Sequence, residues 1–427
     1  MIKSWVVILF GFACVYAHDQ IPAPPQTQPI ALVGADLYTV SGEVIRKGTL
    51  VFDKGRIVSL GKNIEIPDDA EVIRIEGKRV YPGMILASST LGLVEVSSVS
   101  ATVDVSEKAQ ISPEVRAVAA LNPDSELLPV TRSNGITLAV VNPRGGLIAG
   151  RSALIELDGW TWEDMAVEPV IALDVYWPSM QIDHLDKKSK KEQLSEIHKR
   201  IESITKAFQS ARAFHRDREA KTDVRWQAMT DVFEKKMPVF VHANEIKQIQ
   251  AAIDWSLQQN IRMILVGGYD APLAADRLKK HHIPVILGDV HRLPMRHDDP
   301  VNTPFGVAAK LYKKSVQFCL SAGDGASMFA RNLAFQAGTT VAHGLPYEQA
   351  LKAVTLYPAE ILGVANRVGS LEPGKHATLL VTDGDLLEID TRIEMEFIQG
   401  RRVDLNNKHT MLYHKYLEKY KQKALNE

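Results

Sequence analysis

The sequence predicts an α/β protein, in which a (β/α)8, TIM-like barrel is flanked by a smaller β-domain built from both ends of the chain. Apolar strand-like runs alternate with amphipathic segments between about residues 84 and 370, as in repeated β-α units around a parallel sheet. Short alternating strands precede this region and return after it. The length of 427 residues fits two or three domains, at roughly 150 residues each.

The composition excludes some function classes. Hydrophobic residues make up 45% of the chain, charged residues 24%, and the formal net charge is −1. These values are typical of a soluble globular protein. Because the charge shows no bias toward an anionic partner, nucleic acid binding is not expected.

Residues 1–17 are predicted to be a secretory signal peptide. Lys3 precedes an apolar run from Trp5 to Val15, and Ala17 ends a small-residue cleavage pattern. The alternatives are a membrane anchor, for which the run is shorter than the ~20 residues of a spanning helix, and a lipid anchor at Cys14. We expect export to the periplasm or the extracellular space, with no membrane association after the signal is removed. Residues 18–30 form a proline-rich linker.

The β-domain is predicted from residues 31–83 together with 371–407. Its strands are separated by turn sequences such as Asp53-Lys54-Gly55. The predicted segments are Leu32–Leu37, Gly48–Asp53, Arg56–Leu60, Glu71–Ile75, Thr378–Thr382 and Glu394–Gln399. Because strands occur on both sides of the barrel region, one sheet is expected to need both chain ends.

The barrel is predicted from residues 84–370. Its apolar runs are Thr137–Val141, Pro169–Leu173, Pro238–Val241, Arg262–Val266, Pro284–Leu287 and Val316–Leu320. Within residues 186–222, apolar side chains recur every three or four positions and predict a long helix with one apolar face. Residues 408–427 predict a C-terminal helix in the same way.

Common catalytic motifs are missing from the sequence. It contains no G-x-S-x-G elbow, no H-E-x-x-H helix and no G-x-x-x-x-G-K-[ST] phosphate loop. The glycine-rich stretch Arg144–Gly150 favours a tight turn after a strand. Cys319 lies in an apolar run, which favours an inert core thiol over a nucleophile.

The chain resembles the amidohydrolase superfamily, in particular its imidazolonepropionase-like branch, over nearly its whole length after the signal. The segments that carry the resemblance are Gly48–Phe52, Gly55–Ile57, Gly77–Gly83, Ala350–Thr355, Pro358–Gly363 and Gly369–Lys375. The resemblance implies a metal-containing (β/α)8 barrel with a composite β-sandwich. It also implies hydrolysis of carbon–nitrogen bonds such as cyclic amides, in which metal ions activate a water and polarise the carbonyl.

The resemblance breaks at the first metal-binding motif. The family has His-x-His at the end of the first barrel strand, and alternate residues of a strand point to one face. Here those positions hold Ser88 and Thr90, within Ser88-Ser89-Thr90, and the usual acidic residue before them is Leu86. Because an alcohol is a poor zinc ligand, we expect no tightly bound metal, or at most one zinc or other divalent ion at a weak site.

Two positions of the family pattern survive. His242 ends the fifth strand, where the family has a metal-binding histidine, and Asp324 follows the last strand, where the family's aspartate accepts a proton from the metal-bound water. Both are candidate catalytic residues. The structural alternatives are an inherited hydrogen-bonded histidine and a helix-capping aspartate.

Four further residues are candidates for a substrate pocket. Barrel enzymes carry their chemistry on the loops after the strands, and the candidates there are Asn244, Tyr269, His291 and Arg296. The alternative for His291 and Arg296 is an exposed polar loop.

Two functions of different classes follow. The first is an exported hydrolase of non-peptide carbon–nitrogen bonds that keeps one metal or works through His242 and Asp324. The second is a catalytically inactive binding or assembly protein. The expected partners are a small-molecule ligand and either further copies of this chain or an active paralogue.

Overall fold

The computed structural model describes residues 21–217, 222–322 and 327–424. The strands within these ranges are β1 Ile30–Leu37, β2 Ile45–Asp53, β3 Arg56–Gly61, β4 Glu71–Arg74, β5 Arg79–Pro82, β6 Met84–Ser89, β7 Ile136–Val141, β8 Ile148–Glu156, β9 Ala166–Tyr176, β10 Val239–Ala243, β11 Met263–Gly267, β12 Val285–Leu287, β13 Phe318–Leu320, β14 Leu379–Thr382, β15 Ile393–Ile398 and β16 Arg401–Arg402. The predicted signal peptide, residues 1–17, lies outside the described residues.

The helices alternate with the later barrel strands. They are α1 Leu127–Arg132, α2 Trp162–Met165, α3 Lys190–Arg216, α4 Val224–Gln227, α5 Thr230–Phe233, α6 Ile246–Gln259, α7 Ala275–Lys280, α8 Val307–Lys313, α9 Leu333–Ala342, α10 Tyr347–Val354, α11 Leu356–Ile361 and α12 Lys408–Ala424. Because helices follow β9 to β13 in turn, neighbouring strands of this part of the barrel run parallel.

Both ends of the chain build one separate sheet. Its strand order is β16-β15-β14-β5-β1-β2-β3, and β4 pairs with β1. The C-terminal strand β14 lies between β15 and the N-terminal strand β5. An apolar core of its own, which includes Leu32, Phe52 and Phe397, stabilises this sheet.

The second sheet is a nearly closed barrel in the order β13-β12-β11-β10-β9-β8-β7-β6. The hydroxyl of Ser321, just after β13, accepts from the Ser88 amide at 2.9 Å and donates to its carbonyl at 2.8 Å. These bonds join the two outer strands. The predicted fold class, an α/β barrel with a β-domain from both chain ends, is therefore confirmed.

One strand departs from the repeated β-α unit. β8 runs antiparallel to both β7 and β9, where the sequence predicted only a turn. Gly145 and Gly146 both have positive φ, 84° and 65°, which favours glycine and lets the chain reverse over a few residues. The tight turn is therefore present, but it leads into a barrel strand rather than a helix.

The Pro82-Gly83 pair of the family pattern has a packing role at the start of the barrel. A β-carbon at position 83 would overlap the side chain of Thr137, which is fully buried on the neighbouring strand β7. Only glycine allows the two backbones to approach this closely.

Two predictions about single elements are confirmed. The helix α3 has the expected apolar face, with Ile197, Ile204 and Phe208 buried. Cys319 is buried in the barrel, and burial raises the pKa of its thiol. A thiol with a raised pKa is a poor nucleophile at neutral pH.

The C-terminal helix α12 forms as predicted but buries none of its residues. Its contacts with the rest of the chain include a long ion pair between Lys408 and Glu126 at 3.9 Å. Among the described helices, none combines the length and the apolar character that a membrane span requires.

Stopping the chain after Asn407 should therefore change the free energy of unfolding by less than about 1 kcal/mol, because α12 buries no side chain. Stopping it after Ser370 should cause aggregation, because β14, β15 and β16 are lost and β5 is left with an unpaired edge. Urea unfolding and size-exclusion chromatography of both truncations check this. A soluble, cooperatively unfolding product of the shorter chain, or precipitation of the longer one, would contradict it.

Candidate active site

A layer of polar side chains lies above the apolar interior of the barrel. All eight strands contribute to that interior, for example through Val140, Ala172 and Phe240. Side chains alternate along a strand, so Asn142, Asp174 and His242 continue the same inward face toward the carboxyl ends of β7, β9 and β10. Because β8 is antiparallel, its Ser152 reaches the same level from the middle of the strand. With Ser89 these residues form what we call the polar layer.

Asp174 is the centre of the polar layer and is fully buried. Its Oδ1 accepts from Asn142 Nδ2 at 3.0 Å and lies 2.8 Å from His242 Nε2. Its Oδ2 accepts a short hydrogen bond from the hydroxyl of Ser152. Asn142 also donates to Ser152 at 2.8 Å and accepts from the Ser89 amide at 3.0 Å. Each carboxylate oxygen is therefore stabilised by donors from neighbouring strands.

His242 is held in a fixed orientation. Its ring stacks on Tyr176, with centroids 4.0 Å apart and an angle of 9° between the planes. The Tyr176 hydroxyl donates to Pro143 O at 3.0 Å, which fixes the stacking partner in turn. When Asp174 is ionised, the 2.8 Å contact assigns the proton to Nε2 of the imidazole. This arrangement fixes the ring of a buried imidazole at the carboxyl end of β10.

The two expected ligand positions on the first barrel strand are both buried hydroxyl residues. The backbone of Ser88 is hydrogen-bonded to the hydroxyl of Ser321. Ser88 also lines a cavity at the barrel mouth. The hydroxyl of Thr90 shares a 2.8 Å hydrogen bond with that of Ser327. A buried alcohol that is bonded to another alcohol offers little to a metal ion.

The cavity at the mouth has a volume of about 670 Å³. Polar groups in its lining come from Ser88, Asn244 and Ser321, and the loop after β12 adds Asp289 and Arg292. Apolar side chains complete it, namely Val266, Ile286, Leu287, Leu293, Pro294 and Met295. The predicted pocket residue Asn244 therefore does line the cavity.

Tyr269 and Arg296 belong to an ion-pair network beside this cavity. Arg296 donates to Asp270 at 2.6 and 2.9 Å and to Asp299 at 3.2 Å. The Tyr269 hydroxyl donates to Asp299 at 2.8 Å, and this bond, with that of Arg296, keeps the pKa of Asp299 below its ordinary value despite an opposing effect of desolvation. Asp270 also accepts from the amide of Ile246 at 3.0 Å. The network ties the loop after β12 to the start of α6.

The remaining predicted site residues are His291 and Asp324. His291 is exposed, and its Nε2 is bonded to Thr339 Oγ1 at 2.7 Å on α9. It is not among the residues that line the mouth cavity. Asp324 falls in residues 323–326, outside the described residues.

The sequence reasoning missed Asp174, Asn142, Ser152 and Tyr176. Asp174 did leave a signal, because a carboxylate inside the apolar run Val170–Val175 must find buried partners. Asn142 and Ser152 left none, since polar residues next to a glycine-rich turn are ordinary.

The donor set does not fit a binuclear metal centre. Within residues 21–217, 222–322 and 327–424, no three histidine, cysteine, aspartate or glutamate side chains come together as a metal site. The polar layer supplies one imidazole and one carboxylate, which are bonded to each other. A zinc ion ordinarily takes about three protein ligands in a catalytic site.

Sequence comparison identifies the family. The amidohydrolase family profile matches residues 163–412, more than half of the chain. A curated relative, amidohydrolase tasK from Hapsidospora irregularis, is 22% identical over 400 residues, which cover 83% of this chain. The chain spans only 39% of the length of that relative.

Solved structures share the fold. An amidohydrolase from Thermotoga maritima MSB8 superimposes with a TM-score of 0.78 at 23% identity, over 88% of this chain and 99% of that one. A prolidase solved with N-methylphosphonate-L-proline gives a TM-score of 0.54 at 17% identity, over 88% and 99% of the two chains. The barrel, the sheet from both chain ends and the profile match agree, and the chain belongs to the amidohydrolase family.

Proposed function

We propose that this chain binds a small amide-bearing molecule in the mouth cavity and hydrolyses a non-peptide carbon–nitrogen bond, such as that of a cyclic amide. The observation that carries the proposal is the lining of the cavity. Its volume of about 670 Å³ suits a small molecule. Ser88 and Asn244 offer neutral donors and acceptors, which match an amide group.

His242 is the proposed acid–base residue. Asp174 accepts from its Nε2 and fixes the ring, and Tyr176 restricts rotation by stacking. Asn244, two residues after His242, lines the cavity. Because alternate residues of an extended chain point to the same side, this supports a position of the imidazole near a bound substrate. We keep Asp324 as a second candidate for proton transfer on its sequence position.

The metal content stays a prediction. The family implies metal ions, which would polarise the scissile carbonyl and activate water, but the described donors do not fit two of them. We propose at most one weakly held zinc or other divalent ion, with His242 as the protein donor.

A second candidate is a binding or assembly protein without catalysis, which works beside an active paralogue or another copy of this chain. The polar layer favours it. Both carboxylate oxygens of Asp174 accept hydrogen bonds from the protein's own side chains, so its role in the folded chain is accounted for without a substrate. Export to the periplasm or beyond is proposed on the N-terminal sequence.

Metal analysis separates an absent metal site from an unrecognised one. The protein, dialysed against a mild chelator, should retain well under one equivalent of zinc or manganese. The double variant Ser88→His, Thr90→His should raise zinc affinity, because two imidazoles then project from the end of β6. Elemental analysis and zinc titration measure both. Near two equivalents in the unmodified protein would mean that ligands come from outside the described residues.

A hydrolysis screen with cyclic imides, dipeptides and lactams tests the function. We expect turnover that His242→Gln lowers by about 100-fold or more, because glutamine can still donate to Asp174 but cannot carry a proton. His291→Gln is the matched control, since His291 is exposed and bonded to Thr339 on α9 rather than held in the polar layer, and should keep full activity. Equal activity in the His242→Gln variant would exclude the imidazole as the acid–base group. If the unmodified protein turns over none of the substrates, the hydrolase proposal fails and the binding or assembly function remains.

A further inference from the structure

One cation at the barrel mouth is not neutralised by the described part of the chain. Arg292 lines both the mouth cavity and a smaller cavity beside it. Among the described residues its guanidinium has no carboxylate partner, and its side chain makes a long 3.4 Å contact from Nε to the carbonyl of Leu293. Its hydrogen-bond donors therefore remain available for a ligand.

A second arginine on the same loop shows the contrast. Arg292 and Arg296 lie against the ring of Tyr269, with their Cζ atoms 5.4 and 5.5 Å from its centroid. Arg296 is neutralised by Asp270 and Asp299. The aromatic ring thus orients both side chains, but only Arg296 has its charge balanced by described carboxylates.

We propose that Arg292 binds a carboxylate of the ligand, so that the site takes small amides that carry one carboxylate, such as N-acyl amino acids and lactam carboxylates. This inference rests on the proposed function and narrows its substrate class. Arginine presents a planar pair of N–H donors that matches a carboxylate. Ser88 and Asn244 then remain for the amide part of the same molecule.

The charges of the lining also limit the number of carboxylates. Asp289 lines the same two cavities and is engaged in an interaction of its own. Its negative charge disfavours a second ligand carboxylate nearby. A ligand with one carboxylate and a neutral amide fits the charges of Arg292 and Asp289 better than a dicarboxylate does.

Matched ligand pairs test the inference by isothermal titration calorimetry. The probes are L-5-oxoproline and N-acetylglycine, each compared with its own carboxamide. In the unmodified protein at least one carboxylate should bind about 10-fold or more tightly than its carboxamide. Arg292→Met should abolish this preference, Arg292→Lys should restore part of it, and the neighbouring control His291→Gln should leave it unchanged.

The readout is a preference within a pair, so it separates recognition from stability. A merely structural role of Arg292 would weaken carboxylate and carboxamide alike, and that result overturns the inference. Equal binding of the pairs by the unmodified protein, or no binding of any probe, also overturns it. Because the measurement needs no turnover, a carboxylate preference without hydrolysis would refute the hydrolase proposal and leave the ligand class standing.

Discussion

Replacing Asp174 by alanine should lower the free energy of unfolding by about 3–5 kcal/mol. The carboxylate is fully buried and accepts from Ser152 on β8, from His242 on β10 and from Asn142 just after β7. Without the carboxylate, the buried donor groups of these three residues lose their hydrogen-bond acceptor but are still removed from water, which costs free energy. Urea unfolding followed by circular dichroism measures the change.

A matched control lies on the same strand. Glu168 is 39% exposed and pairs with Arg367, and Glu168→Ala should cost no more than about 1 kcal/mol, as exposed ion pairs usually do. Similar losses for the two variants would show that the effect belongs to β9 in general and not to the polar layer.

Replacing Glu396 by methionine should stabilise the protein by about 1–4 kcal/mol at neutral pH. Glu396 on β15 is fully buried, and within the described residues neither carboxylate oxygen has a hydrogen-bond partner. Burial raises the pKa of Glu396 well above its ordinary value, and the charge of Asp158 adds to this, while Arg132 opposes it. An apolar side chain of similar size removes the cost of burying the acid.

The pH dependence has a definite sign. The ordinary pKa of the glutamate side chain is 4.5 and the folded value is higher, so above about pH 4.5 the folded state binds more protons than the unfolded state. Stability from this group therefore falls as pH rises from 4.5 through the folded pKa. Glu396→Met should remove this fall and flatten the stability profile above about pH 4.5, as measured by urea unfolding at a series of pH values.

Glu394 provides the control for this strand. It is exposed and pairs with Lys78 at 2.5 Å, so Glu394→Met should shift stability by no more than about 1 kcal/mol and leave the pH profile unchanged. Destabilisation by Glu396→Met would mean that the carboxylate is needed to balance Arg132, which already bonds Asp158 at 2.9 Å and the carbonyl of Leu157 at 2.8 Å.

Only part of the candidate site could be anticipated from the sequence. Position in the family pattern singled out His242 and the hydroxyls at 88 and 90, and the structure places His242 in the polar layer and Ser88 at the cavity. The partner of His242 could not be anticipated. Asp174 lies 68 residues earlier, and no local pattern states which strands become neighbours in a closed barrel.

The loop after β12 shows the same limit. Arg296 and His291 both looked available in a polar loop, yet Arg296 is bound by Asp270 and Asp299, and His291 by Thr339. The neighbouring Arg292, which the sequence did not distinguish, lines the cavity. The direction of an exposed side chain depends on partners distant in sequence, so composition alone does not reveal it.

By itself the sequence determined the barrel, the sheet from both chain ends and the family, because strand and helix periodicity and the family's short sequence motifs are properties of residues close together in the chain. Only the tertiary structure decided the direction of β8 and the composition of the polar layer. The physical reason is closure. When the sheet curls into a barrel, side chains at the same level of different strands converge, and Asn142, Ser152, Asp174 and His242 hydrogen-bond to one another there because all four are buried from solvent.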